Sequence, residues 1–307
     1  MDSRRQDAHE RPLARLRVAV LVVLCTAILL VLAELGAKAA ARISRIERRT
    51  TEEISSAVRM RGGRADGVRT VLLAGNSLLL EGVDLPALQQ ELRPAVEVER
   101  LVVEGTAYLD WYYALRRLFS EGSRPDVVVL KLSAIQLLSD GIRGDYSANR
   151  LFALGDLLDV SRDAGYSMTA TSSLLFAHYS TYYGTRMELR KWFLSELMPG
   201  MKELQPRLAR LNRKPASESA IRRRVPARLA ELQRLANQHG AHLVLLLPAT
   251  SAERSESRAL FDAARKASTV VLEPAAPGAF PAALFSDGFH LNAGGKRAYT
   301  QALAPLL

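Results

Sequence analysis

The chain has 307 residues, with 42 Lys and Arg against 32 Asp and Glu for a formal charge of +10, which suits one α/β domain with an appendage and a sizeable buried core. This balance favours anionic surfaces such as phospholipid headgroups or acidic glycans, or else a plain solvated arginine-rich face, and its local excess lies between Arg207 and Arg228. No aromatic-and-glycine motif of the nucleic-acid modules accompanies the charge, which places nucleic acid last, and Cys25, the sole cysteine, excludes a disulfide within the chain.

From the amino terminus, residues 1–17 read as a short, unstructured cytoplasmic tail and residues 18–37 as one membrane-spanning helix, since 18–33 carry no charge and Glu34 suits an interface. Arg4, Arg5, Arg11, Arg15 and Arg17 precede the span, which fits a cytoplasmic amino terminus and an extracytoplasmic domain, held in the inner membrane by a single pass. Lys38, Arg42, Arg45, Arg48 and Arg49 follow it and weaken that bias. A cleaved signal ending at Ala39-Ala40-Ala41 is the competing reading; the length of the apolar run favours an uncleaved anchor. Residues 38–67 read as a charged, partly helical stalk with a break at Gly62-Gly63.

Residues 68–307 then alternate strand and helix. Strands are expected at 70–74, 96–103, 126–132, 242–247 and 270–272, and helices at 85–92 with Asp84 as N-cap, 108–119, 226–239 with Pro226 in its first turn, 251–266 and 292–303. Strands separated by helices imply a mostly parallel sheet covered on both faces. The rhythm breaks at about 134–225, which reads as a helical insertion near the carboxyl ends of the strands: a lid or substrate wall, or a cap that completes the core. His178, beside Tyr179, Tyr182 and Tyr183, is read as structural, with a glycan contact as its alternative. His9, His239 and His242 form no cluster with metal-ligand spacing.

Two motifs carry chemistry. The apolar run 71–74 ends in Gly75-Asn76-Ser77-Leu78, a sharp turn that exposes Ser77 at a strand's carboxyl edge, where open α/β sheets bind ligands. Ser286-Asp287-Gly288-Phe289-His290 places a carboxylate three residues before an imidazole, close enough to orient it. Together they supply a nucleophile, its base and the group that holds the base. Gly-Asn-Ser-Leu resembles the first block of the SGNH/GDSL hydrolase superfamily, and Asp287 to His290 resembles its Asp-x-x-His block. The resemblance implies a three-layer α/β/α sandwich of SGNH or flavodoxin-like type, a catalytic set of Ser77, Asp287 and His290, and an oxyanion hole from the Ser77 N–H, the N–H of Gly105 and an Asn after the third strand. This chain departs there, reading Leu132-Ser133-Ala134-Ile135-Gln136 without Asn, so Ser133 and Gln136 are the candidate substitute donors.

The implied activity is that of a membrane-anchored serine esterase or O-acyltransferase working through an acyl-serine on esters of a cell-envelope or exported polysaccharide. No cofactor or metal is called for, and an acyl-transfer partner in the membrane is expected alongside the carbohydrate or acyl-ester substrate. A lipolytic esterase and a non-catalytic glycan-binding or scaffold protein of an exopolysaccharide system remain as alternatives.

Overall fold

The computed structural model describes residues 3–198, 200, 216–251 and 255–307. Five strands form one sheet: β1 Arg69–Gly75, β2 Val96–Val102, β3 Val127–Lys131, β4 His242–Leu246 and β5 Val270–Leu272, in the order β2-β1-β3-β4-β5 and parallel throughout. Side chains alternate across a strand, and the alternation divides the core in two. Leu72, Ala74, Val128, Leu130, Leu243 and Leu245 face one buried cluster, while Val71, Leu73, Val129, Val244 and Leu246 face the other. Helices cover both faces, giving the expected three-layer α/β/α arrangement.

The helices in chain order are α1 Ser3–Ile43, α2 Arg45–Arg59, α3 Ser77–Leu80, α4 Leu85–Leu92, α5 Tyr108–Ser120, α6 Ala134–Leu138, α7 Asp145–Arg150, α8 Leu157–Asp163, α9 Met168–Tyr179, α10 Thr181–Leu197, α11 Glu218–Asn237, α12 Ser255–Lys266 and α13 Ala293–Leu303. The Asp84 side chain accepts from Ala87 N–H at 3.3 Å and caps α4, and Asn292 caps α13 through the N–H groups of Gly294 and Gly295. On α11 the buried Ile221, Val225, Leu229, Leu232 and Leu235 recur every three or four residues and lie against the sheet layer.

Three expectations are corrected. Helix α1 begins at Ser3, so the tail read as unstructured is helical from there. The expected stalk is not a tether: α2 lies against β2, with Ala57 and Met60 in the core. The cause is the edge of the sheet. β2 has no outer strand neighbour, and Glu53 of α2 accepts the Val102 N–H at 2.8 Å and the Arg100 guanidinium at 2.8 and 2.9 Å, satisfying edge groups that a stalk would leave bare. Helix α11 starts eight residues before Pro226, which therefore sits inside it. Side-chain spacing carries the helix through a residue that lacks an N–H.

The insertion at 134–225 is mostly cap. Leu137, Tyr146, Ala148, Phe152, Leu157, Val160, Leu174 and Ala177 join the buried cluster on the α5 side. The outer faces of α9 and α10 expose Phe176, Tyr179, Trp192 and Phe193. Part of the basic stretch between Arg207 and Arg228 falls in 201–215, outside the described residues, as do residues 252–254 of the helix expected at 251–266.

Candidate active site

Gly75 ends β1 beside Lys131 of β3. A Cβ at this glycine would stand 2.9 Å from the Lys131 carbonyl oxygen and 3.1 Å from Leu79 Cβ, so the strand can pass its neighbour and turn at once only with no side chain there. Asn76 follows, fully buried. Its Oδ1 accepts the Leu78 N–H at 3.1 Å, capping α3, and its Nδ2 donates to the Thr106 carbonyl at 3.0 Å. Ser77 is thereby the first residue of α3, partly exposed at the carboxyl edge of the sheet.

The second motif is a loop rather than a helical turn. An antiparallel bridge between Phe285 and Leu291 and the Ser286 N–H to His290 carbonyl bond of 2.9 Å close it, and Gly288 takes the positive φ of 78° that the reversal needs. Asp287 Oδ1 accepts the N–H groups of Phe289 and His290 at 2.9 and 2.7 Å, while Oδ2 lies 2.9 Å from His290 Nδ1. Burial works against the charged carboxylate, but these hydrogen bonds from His290 and Phe289 outweigh it and hold Asp287 down at about 2. A carboxylate oxygen can only accept, so Nδ1 carries the hydrogen and, in the neutral ring, Nε2 is an acceptor. His290 Nε2 lies 3.0 Å from Ser77 Oγ. Three side chains from motifs 213 residues apart thus form one continuous hydrogen-bonded chain.

On the other side of Ser77, the Val103 N–H donates to the Gly75 carbonyl at 3.1 Å and carries β2 past its last paired residue into the turn 104–106. Gly105 sits there, exposed, at φ 73°. Thr106 fixes the turn: its Oγ1 donates to the Val103 carbonyl at 2.6 Å and accepts the Trp111 Nε1–H at 2.9 Å, and its carbonyl takes the Asn76 amide. Arg143 closes over Gly105, with Cδ 3.8 Å from where a glycine Cβ would be. Arg143 is held in turn by Asp110, which accepts the N–H groups of Ala107 and Arg143 and the Ser147 hydroxyl. Burial pushes Asp110 up to about 6 against the pull of those bonds. Asn76, Thr106, Asp110 and Arg143 were not singled out in the sequence as site residues. Only Asp110 left a local sign, an acidic residue three positions beyond the residue that precedes α5.

Of the two substitute donors, Ser133 comes out differently from expectation. Both donors of Ser133, its N–H at 2.8 Å and its hydroxyl at 2.9 Å, go to Gln136 Oε1. A serine has no third donor, so Ser133 has none left for an oxyanion, whereas Gln136 meets it through Oε1 alone and its amide N–H groups take no part in that contact. His178 is structural in its contacts, its Nδ1 lying 2.9 Å from the Ala148 carbonyl. No group of three or more His, Cys, Asp or Glu among the described residues is arranged to hold a metal ion.

No protein-family model matches the chain, and no curated protein matches it. Among solved structures it is similar to TesA, at 15% identity and a TM-score of 0.39 over 77% of this chain and 97% of that one. It is also similar to Axe2, an acetylxylan esterase from Geobacillus stearothermophilus, at 13% identity and a TM-score of 0.38 over 80% of this chain and 94% of that one.

Proposed function

We propose that the chain is a membrane-anchored serine esterase or O-acyltransferase of SGNH type, acting on acyl esters of a cell-envelope or exported polysaccharide. The observation that carries this reading is the continuous chain Ser77 Oγ, His290 Nε2, His290 Nδ1 and Asp287 Oδ2, with contacts of 3.0 and 2.9 Å. Ser77 Oγ attacks the ester carbonyl as its proton passes to His290 Nε2, and Asp287 stabilises the imidazolium that forms. Collapse of the tetrahedral species breaks the bond to the alkoxy group, which takes the proton from His290 and leaves as an alcohol. Water, or a sugar hydroxyl in transfer, then attacks acyl-Ser77 with His290 again as base and restores the serine.

Two backbone donors flank the reacting carbon in this reading, the N–H groups of Ser77 and Gly105. Ser133 offers no third donor, which leaves the Gln136 amide N–H as the remaining candidate; without any third donor the barrier would stand about 3 kcal/mol above that of a complete oxyanion hole. Helix α1 is the anchor: it is long and apolar enough to cross a bilayer, and its carboxyl-terminal turns pack on α10. With the amino terminus in the cytoplasm, the domain stands outside the inner membrane. The exposed Tyr179, Trp192 and Phe193 on α9 and α10 suit a sugar chain, and with Phe176 and Leu197 they also suit the lipolytic alternative.

Acetate release from an acetylated polysaccharide by the full chain in detergent, compared with Ser77→Ala, tests the proposal. A loss of about a thousandfold or more is expected with the melting temperature unchanged. Equal release by the variant would overturn Ser77 as the nucleophile, and no release by the folded parent would leave the non-catalytic, glycan-binding reading.

A further inference from the structure

Burial along α1 changes at one place. Residues 15–32 are exposed around the whole helix, and from Ala33 onward a stripe of Ala33, Glu34, Ala37, Ala40, Ala41 and Ser44 is buried or half-buried. The stripe recurs every three or four residues and consists of small or polar side chains, which let α1 lie close against α10 and α2. The uncharged run 18–33, at 1.5 Å per residue, is about 24 Å long, close to the hydrocarbon thickness of a bilayer. Glu34 marks its end. Its carboxylate accepts the Ser180 hydroxyl at 2.8 Å and the N–H groups of Thr181 and Tyr182 at 3.0 Å, so the edge of the span is tied to the start of α10.

One to two turns beyond that edge, where the headgroup layer lies, α1 and α2 enclose an open cavity of about 410 Å³. Its charged lining is Lys38, Arg42, Arg48 and Arg150 with Glu47 and Glu52. Lys38 pairs with Glu34 at 3.2 Å, and Arg150 pairs with Glu47. Arg42 and Arg48 make no ion pair among the described residues, and against Glu52 they leave one cation in excess. A guanidinium fork matches two oxygens of a phosphate, and two forks at headgroup depth match the phosphodiester of a lipid better than that of a diffusing solute.

We infer that this cavity binds the headgroup phosphate of an anionic phospholipid through Arg42 and Arg48, with the acyl chains lying along the exposed face of α1. The inference rests on the reading of α1 as an uncleaved anchor. A bound lipid would bridge α1 and α2, and α2 also carries Arg49, which reaches Glu104 beside Gly105 at 2.8 Å. Lipid at the anchor would thus brace the helix that flanks the reacting site.

The test is native mass spectrometry of the full chain in mild detergent with equimolar phosphatidylglycerol and phosphatidylcholine. Selective retention of phosphatidylglycerol is expected, falling roughly 25-fold in Arg42→Gln/Arg48→Gln, since each cation near a membrane surface contributes about fivefold. Equal retention of the two lipids by the parent overturns the inference. So does an equal fall in Arg223→Gln/Arg297→Gln, which removes the same charge from α11 and α13. Displacement of the lipid by the same concentration of inorganic phosphate would make the ligand a free anion and overturn it too. Carbonate extraction separates this from failure of the anchor: a chain released from membranes without its first 40 or so residues overturns both readings, whereas a retained chain with no lipid preference overturns the site alone.

Discussion

Asn76 joins the two turns on which the proposed chemistry depends, capping α3 with one end of its amide and holding the Gly105 turn with the other. Asp287 plays the matching part for His290, fixing both the backbone and the ring. Asp287→Asn keeps the shape but offers an N–H where an acceptor is needed, so His290 takes the wrong tautomer. A fall in kcat of about 10⁴ with little change in stability is expected from steady-state kinetics and thermal melts. Asp110 carries a pH prediction of definite sign. Its carboxyl rises from an ordinary 3.8 to about 6 on folding, so the folded state holds the proton more tightly. That contribution is complete below about pH 4 and is lost as pH rises through 6, about 3 kcal/mol in all. Denaturant titrations of the parent and Asp110→Asn between pH 4 and 7 should differ by this slope; parallel curves would count against it. Ser77, Asp287 and His290 were legible in the sequence because each lies in a short contiguous motif whose turn chemistry is local. Thr106 and Arg143 were not, because they act through bonds to backbone and side chains that only the fold brings near. Ser133 failed as a substitute donor for a local reason, the return of Gln136 onto the start of its own helix.

Among the elements, β1 to β5 lie within a residue or two of their expected positions, since Val- and Leu-rich runs, or in β2 Val and Leu alternating with charged residues, leave little choice. The misreading of α2 has a physical cause. Its sequence is dense in charge, which resembles a solvated stalk, yet Glu47 and Glu53 are turned inward and matched by Tyr146, Arg150, Arg100 and a strand N–H. Composition shows the charges and not their partners. A chain beginning at Ser44 is therefore expected to remain monomeric and cooperatively folded in size-exclusion and thermal-melt experiments. One beginning at Val68 bares the β2 edge and the surface under Ala57 and Met60, and aggregation is expected. Equal behaviour of the two would make α2 the loose stalk its charges suggest. Pro226 misled in a similar way: the apolar stripe from Ile221 to Leu235 outweighs one missing hydrogen bond.

At the scale of the whole molecule, an apolar helix is docked on a three-layer α/β domain whose sheet ends in the Ser77 site. Glu34 ties that helix to the start of α10; on the proposed reading of α1 as an anchor, this tie would hold the site at a constant height above the bilayer. The apolar amino-terminal helix and the α/β alternation were legible from the sequence; the attachment between them was not, since it rests on one carboxylate and the turn at Ser180, 146 residues away. The central claim is that Ser77 is activated by His290. The measurement that tests it most directly is labelling of the full chain in detergent with a fluorophosphonate, which reacts only with an activated serine. Labelling of the parent that disappears in both Ser77→Ala and His290→Ala is predicted. A folded parent that takes no label, or one whose labelling survives Ser77→Ala, would contradict it.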